Sequence, residues 1–213
     1  MDGGGVSLHN GICPGVIVAT DPQGLRDVTA PTGVGAALWL RRPAASFQEW
    51  IDGLDPAQLP SARVVLTPET VPAVLTALFE AAGTPEGHHR DRLRDDIAVL
   101  ARLFATVTGA PYLRLRLDVV TTDACRKFHL DAVTLRLVCT YRGPGTQYGA
   151  AARPGTEPAE VFAAPTGAPI LIRGSLWPGT RETGLRHRSP PIEGSGVTRL
   201  VLVLDPLTGP DGD

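Results

Sequence analysis

The run Tyr112-Leu113-Arg114-Leu115-Arg116-Leu117-Asp118-Val119 decides the fold. Its apolar and polar residues alternate with a period of two, the pattern of a strand that buries one face and not the other. The stretch just before it has a different period. From Asp91 onward, Leu93, Ile97, Leu100, Phe104 and Val107 recur at spacings of three and four, which gathers them on one face of a helix. Gly109 and Pro111 end that helix. The change of period near residue 110 therefore divides the chain into a helix-rich first half and a strand-rich second half.

Upstream, residues 1–35 are rich in Gly, Pro and Thr and read as an irregular lead-in, with a short strand at Val16–Val18. Residues Ala36–Leu40 read as a buried strand. A helix is expected from Phe47 to Leu54, with Ser46 as its cap and Asp55-Pro56 as its stop. Ala62–Leu66 reads as a strand, and Thr67-Pro68-Glu69 opens a helix that ends near Gly83. Downstream, strands are expected at Val133–Tyr141, Pro169–Arg173, Leu185–Arg188 and Val197–Leu204, separated by turns heavy in Gly and Pro. A run of antiparallel strands must close or double over to hide its edges. The expected fold is therefore α+β, a double-stranded β-helix (a jelly-roll or cupin-like barrel) in the C-terminal half, braced by N-terminal helices. It forms a single domain over 1–213, with mainly helical support at 36–110, a β-barrel core at 111–205 and a flexible tail at 206–213.

Composition narrows the partners. With 213 residues, 43% of them hydrophobic, the chain can bury a sizeable core. The net charge of −2, without blocks of like charge, gives no footprint for nucleic acid and no basic amphipathic stretch for a membrane. A small-molecule or peptide partner is expected instead. The opening MDGGGVSLHN lacks the basic and apolar regions of a signal peptide, and no apolar run reaches the ~18 residues of a membrane span, so a cytoplasmic protein is expected. Cys13, Cys125 and Cys139 include no CxxC pair and read as reduced thiols, Cys139 in the core.

The chemistry centres on Lys127-Phe128-His129-Leu130-Asp131. In extended backbone, residues two apart project from the same face, so His129 and Asp131 are able to meet one ion. His187, in Gly184-Leu185-Arg186-His187-Arg188-Ser189-Pro190-Pro191, supplies a third ligand. Two histidines and one carboxylate on one face of an octahedron leave positions open for a co-substrate and O2, the arrangement expected of a non-haem Fe(II) oxygenase. Arg199 opens the apolar run Leu200–Leu204, where a guanidinium is able to clamp a carboxylate with two bonds. Arg136 alternates with Leu135 and Leu137 and so points away from their face, into the barrel or to solvent.

This order of motifs resembles the Fe(II)/2-oxoglutarate dioxygenases, especially their prolyl-hydroxylase-like branch, over about residues 112–205. The tyrosine and turn that follow HxD in that branch look like Thr140-Tyr141-Arg142-Gly143-Pro144-Gly145-Thr146 here. The distal segment is similar to His187-Arg188-Ser189-Pro190-Pro191-Ile192-Glu193-Gly194 followed by Arg199. The resemblance implies Fe(II) held by His129, Asp131 and His187. It also implies 2-oxoglutarate bound by Arg199 and Tyr141, and oxidation of a small molecule, an amino acid or a peptide side chain. Asp123 through Thr146 also resembles an uncharacterised bacterial family, domain-of-unknown-function family 1826, which is associated with zinc homeostasis. That association, with Cys125 four residues before His129, opens a second expectation: a non-catalytic metal-homeostasis protein that binds Zn(II) through the same residues. A third is an Fe(II) oxygenase that does not use 2-oxoglutarate, in which Arg199 is structural or binds the substrate.

Overall fold

The alternation at Tyr112–Val120 is realised as β4, in which Leu113, Leu115 and Leu117 are fully buried while the polar residues between them are only partly so. β4 lies next to the edge of a seven-stranded sheet. The computed structural model describes residues 11, 13–31, 33–153, 156–178 and 183–211. In chain order the regular elements are β1 (Val16–Ala19), a 3-10 helix (Gln23–Thr29), β2 (Ala36–Trp39), α1 (Ala45–Gly53), β3 (Ala62–Leu66), α2 (Val71–Ala82) and α3 (His88–Thr108). There follow β4, β5 (Leu135–Arg142), β6 (Gln147–Ala150), β7 (Phe162–Ala163), β8 (Ile170–Arg173), β9 (Leu185–Arg188) and β10 (Arg199–Leu207), with two further short 3-10 turns at Pro56–Gln58 and Pro68–Thr70.

The large sheet has the order β1-β2-β8-β5-β10-β4-β3 and a second sheet the order β7-β6-β9. All neighbours pair antiparallel except β1 with β2. Period-two alternation gives the large sheet two unlike faces. On one, Leu113, Leu115 and Leu117 of β4, Leu135, Leu137, Cys139 and Tyr141 of β5, and Leu200, Leu202 and Leu204 of β10 join the apolar faces of α1, α2 and α3 in one core. α3 presents Leu93, Ile97, Leu100 and Phe104 to it, each within 1% of complete burial, and Gly109 in the left-handed region closes the helix. On the opposite face, Val138, Ile170, Ile172, Val201 and Val203 meet Tyr148, Phe162 and Leu185 of the small sheet. β3 and β4 contribute nothing to that second core, so the small sheet covers only part of the face.

Several expectations need correction. The strands expected near residues 16, 36 and 62 form as β1, β2 and β3 but join the large sheet, which is therefore not confined to 111–205. The lead-in holds β1 and a 3-10 helix whose Leu25 and Val28 are fully buried; residues 1–10 lie outside the described residues. β10 runs on to Leu207, into the expected tail, of which 212–213 lie outside the described residues. Ser46 does not cap α1, since the helix begins two residues earlier than expected, at Ala45, and Ala44 stands at the cap. β6 and β7 were not anticipated: four and two residues are too few to show a period. Among the described residues no helix is long and apolar enough to cross a membrane.

Candidate metal centre

His129 and His187 face each other across an isolated antiparallel bridge, closed by His129 N–H to His187 O at 3.0 Å and His187 N–H to His129 O at 3.1 Å. This pairing fixes the two backbones and brings the ring centroids to 4.4 Å. The loop carrying His129 is tied down further. Asp123 accepts the N–H groups of Ile192 and Glu193 at 2.8 and 2.9 Å, and Ser189 N–H donates to Cys125 O at 2.9 Å. Asp131 follows the bridge, its backbone oxygen held by Ser175 N–H at 2.8 Å.

The three side chains converge. Asp131 Oδ1 lies 3.4 Å from His129 Nε2, and Asp131 Oδ2 lies 3.0 Å from His187 Nε2. One ligand atom from each falls within 4.8 Å of the others. Despite its 3.0 Å approach to His187, Asp131 Oδ2 is buried without an aligned hydrogen bond. Close approach without alignment is what ligand atoms show when they aim at a shared third point. His129 Nδ1 lies 3.0 Å from Lys127 O, and since a carbonyl only accepts, Nδ1 carries the proton and Nε2 presents its lone pair. The donor set therefore fits a divalent cation of the Fe(II) type, with two imidazoles and one carboxylate.

Electrostatics keep the carboxylate ionised. Burial pushes the Asp131 carboxyl up, but the two imidazoles and the Arg136 guanidinium outweigh it and hold the group well below the usual carboxylate range. His129 is raised by its contact with Asp131, whereas burial lowers His187 and favours its neutral form. Arg136 is the functional residue that sequence reasoning left open. Its Nη1 sits 2.6 Å from Asp131 Oδ1, while Nε and Nη2 donate to Asp205 at 2.6 and 2.9 Å. Asp205, only 3% exposed, thus anchors the cation that braces the ligand. A signal was present: Arg136 and Asp205 both interrupt apolar alternation on the face opposite the leucines.

Arg199 is 1% exposed and lines the same cavity of about 130 Å³ as His129 and His187. Its Nε donates to Pro144 O at 2.7 Å and its Nη2 to Thr140 Oγ1 at 3.3 Å, and among the described residues no carboxylate pairs with it. Burial pushes its pKa down to about 10, the mark of a desolvated cation without a counter-ion. Gly143 shapes this corner. Its φ of 76° favours glycine, and a Cβ there would stand 2.9 Å from Arg199 Cγ.

Two expected residues are not brought in. Tyr141, the expected partner of 2-oxoglutarate, sits on the leucine face, where its hydroxyl donates to Asp96 Oδ2 at 2.6 Å and burial raises its pKa. Asp96 is in turn gripped by Arg41 through two bonds of 2.6 Å. The parity that groups Tyr141 with Leu135, Leu137 and Cys139 excludes it from the pocket. Cys125 is exposed at the pocket wall and does not belong to the ligand group, so a zinc site completed by its sulfur has no support.

The two-sheet α+β fold is shared with a solved dioxygenase. The dioxygenase for auxin oxidation 1 of Arabidopsis thaliana, solved as a binary complex with 2-oxoglutarate, superposes with a TM-score of 0.56 at 10% identity, covering 95% of each chain. The rice dioxygenase for auxin oxidation matches at 0.49 and 17% identity, over 92% of this chain and 83% of that one. A 2OG-Fe(II) oxygenase family oxidoreductase of Burkholderia pseudomallei matches at 0.44 and 15%, over 96% and 94%. At such identities the Arabidopsis likeness speaks for the fold, and the two weaker matches carry no weight. The chain belongs to the family described as protein of unknown function (DUF1826), whose model matches residues 19–205. No curated protein matches the sequence significantly.

Proposed function

We propose that the protein is a non-haem Fe(II)- and 2-oxoglutarate-dependent oxygenase built on a double-stranded β-helix, acting on a small molecule, an amino acid or a peptide side chain. The observation that carries this reading is a buried guanidinium without a carboxylate partner, Arg199, in the cavity that the two histidines of the ligand group line. An unpaired buried charge costs several kcal/mol, roughly, unless a ligand of opposite sign arrives. A dicarboxylate that reaches from the metal to Arg199 meets that need.

His129 Nε2, Asp131 and His187 Nε2 would hold the metal, and Arg199 would bind the distal carboxylate of 2-oxoglutarate. When bound, Fe(II) with 2-oxoglutarate supplies the activation of O2 that oxidises the substrate. The chain's own part is positioning. Lys127 O fixes the tautomer of His129, Arg136 orients Asp131, and Pro144 O and Thr140 aim Arg199. Val138, Val201 and Val203 line the cavity and exclude water from it.

The test is calorimetric titration of 2-oxoglutarate into Fe(II)-loaded protein without oxygen. Arg199→Gln should weaken 2-oxoglutarate by about a hundredfold, as loss of a charged hydrogen-bonded pair does, and leave Fe(II) affinity unchanged. Equal affinity in the two proteins overturns the reading.

A further inference from the structure

The pocket encloses about 130 Å³, below the ~300–1,000 Å³ typical of small-molecule sites. A metal and a co-substrate would fill it. The substrate must then lie at its mouth, on the part of the large sheet that the small sheet leaves uncovered, which is the β3–β4 end.

That floor is basic. Arg116 lines the pocket, and Arg63 of β3 stands directly opposite it in register, with Arg114 two residues along β4 opposite Val65. Arg63 and Val65 are exposed, Val65 at 38%. Like charges directly opposite on neighbouring strands repel, so the Arg63–Arg116 pair works against the sheet as it stands. Relief within the chain is slight. Arg116 reaches Asp205 only at 3.7 Å, its Nε is buried without a partner, and Asp205 already serves Arg136 at 2.6 Å. Among the described residues neither Arg63 nor Arg114 has a carboxylate within ion-pair distance. Asp118 lines the pocket farther along β4 and pairs with none of the three.

The charge of the pocket points the same way. If Fe(II) and the doubly charged 2-oxoglutarate cancel, the lining guanidiniums Arg116, Arg136, Arg188 and Arg199 face the carboxylates Asp118, Asp131 and Asp205, which leaves one positive charge over. We infer that the substrate is a small organic acid whose carboxylate or phosphate is held by Arg116 and Arg63 at the pocket mouth, with the carbon to be oxidised directed toward the metal ligands. The inference rests on the proposed oxygenase chemistry for the site's purpose. The anion site itself stands on the register of Arg63 opposite Arg116 and on the weak, 3.7 Å pairing of Arg116.

The test uses full-length protein loaded with Fe(II) and saturated with 2-oxoglutarate without oxygen, so that Arg199 is occupied. Binding of benzoate, hexanoate and phenyl phosphate is read by saturation-transfer NMR beside the neutral benzamide, hexanamide and phenol. At least one acid should bind at least tenfold more tightly than its neutral counterpart, and the carboxylates and the phosphate together tell which oxyanion is preferred. Arg63→Gln, at an exposed edge where folding is not at stake, should reduce that binding several-fold, with 2-oxoglutarate affinity unchanged. Arg116→Gln should reduce it tenfold or more and Arg116→Lys should restore part of it. Equal binding of acid and neutral probes, no binding of any acid, or indifference to both arginines overturns the inference. If 2-oxoglutarate fails to bind while the acids still bind through Arg116, the oxygenase reading falls and the anion site remains.

Discussion

The two faces of the large sheet are built from the same strands and have opposite characters. Toward the helices, β4, β5 and β10 show almost nothing but leucine. One residue out of phase, the same strands carry Arg116, Asp118, Arg136, Arg199 and Asp205 among valines. The first face holds the larger core, and the candidate metal group sits beside the second. A strand's period of two lets a single segment serve both without compromise. Changes at the buried leucines and at the candidate metal ligands should therefore separate into loss of fold and loss of metal.

The largest effect is expected at the ligands. His187→Ala should lower Fe(II) affinity by about a hundredfold or more, comparable with the loss of other closely coupled metal-site residues, with near-native unfolding of the metal-free protein; calorimetry and thermal melts read the two. Leu202→Ala on the opposite face should do the reverse, costing about 2–5 kcal/mol of unfolding free energy as a fully buried leucine removed. The folded fraction should still take up one metal. Asp205→Asn joins the two faces' effects. It leaves Arg136 without its main partner, so about 3 kcal/mol of stability should go, and Fe(II) affinity should fall as Asp131 loses its brace.

Tyr141→Phe sharpens the contrast further. It removes one buried bond to Asp96, worth about 1–2 kcal/mol, and should leave 2-oxoglutarate affinity untouched. A tenfold loss of 2-oxoglutarate would show that the face assignment is wrong.

The smallest effect is the pH dependence. His129 is raised above its ordinary value by Asp131, so its protonated form stabilises the metal-free fold below about pH 6.5, the unfolded value, and that contribution is lost as pH rises through the folded pKa. A ligand must be neutral, so Fe(II) affinity should rise with pH in that same window by about tenfold per unit and then level off. His187, lowered by burial, stays neutral there, so a dependence of two protons would contradict the assignment.

Periodicity exposed α3, β4 and the leucine face, because long elements repeat their signal. The histidines of the candidate metal group stand out because HxD and the distal His are residue types that metal chemistry requires. β6 and β7 stay hidden for want of length, and the N-terminal strands are legible as strands but not as members of the large sheet, because strand order is a non-local property. The resemblance assigns Tyr141 to 2-oxoglutarate against its own parity with Leu135 and Leu137. Arg136 was seen to point away from the leucines, but its partner Asp205 lies 69 residues on, a separation no local pattern spans.

The most direct measurement is the visible spectrum of the protein without oxygen as Fe(II) and then 2-oxoglutarate are added. A weak charge-transfer band that needs both additions, saturates at one iron per chain and disappears in His187→Ala is the predicted result. One bound metal per chain with no band on adding 2-oxoglutarate would contradict the account.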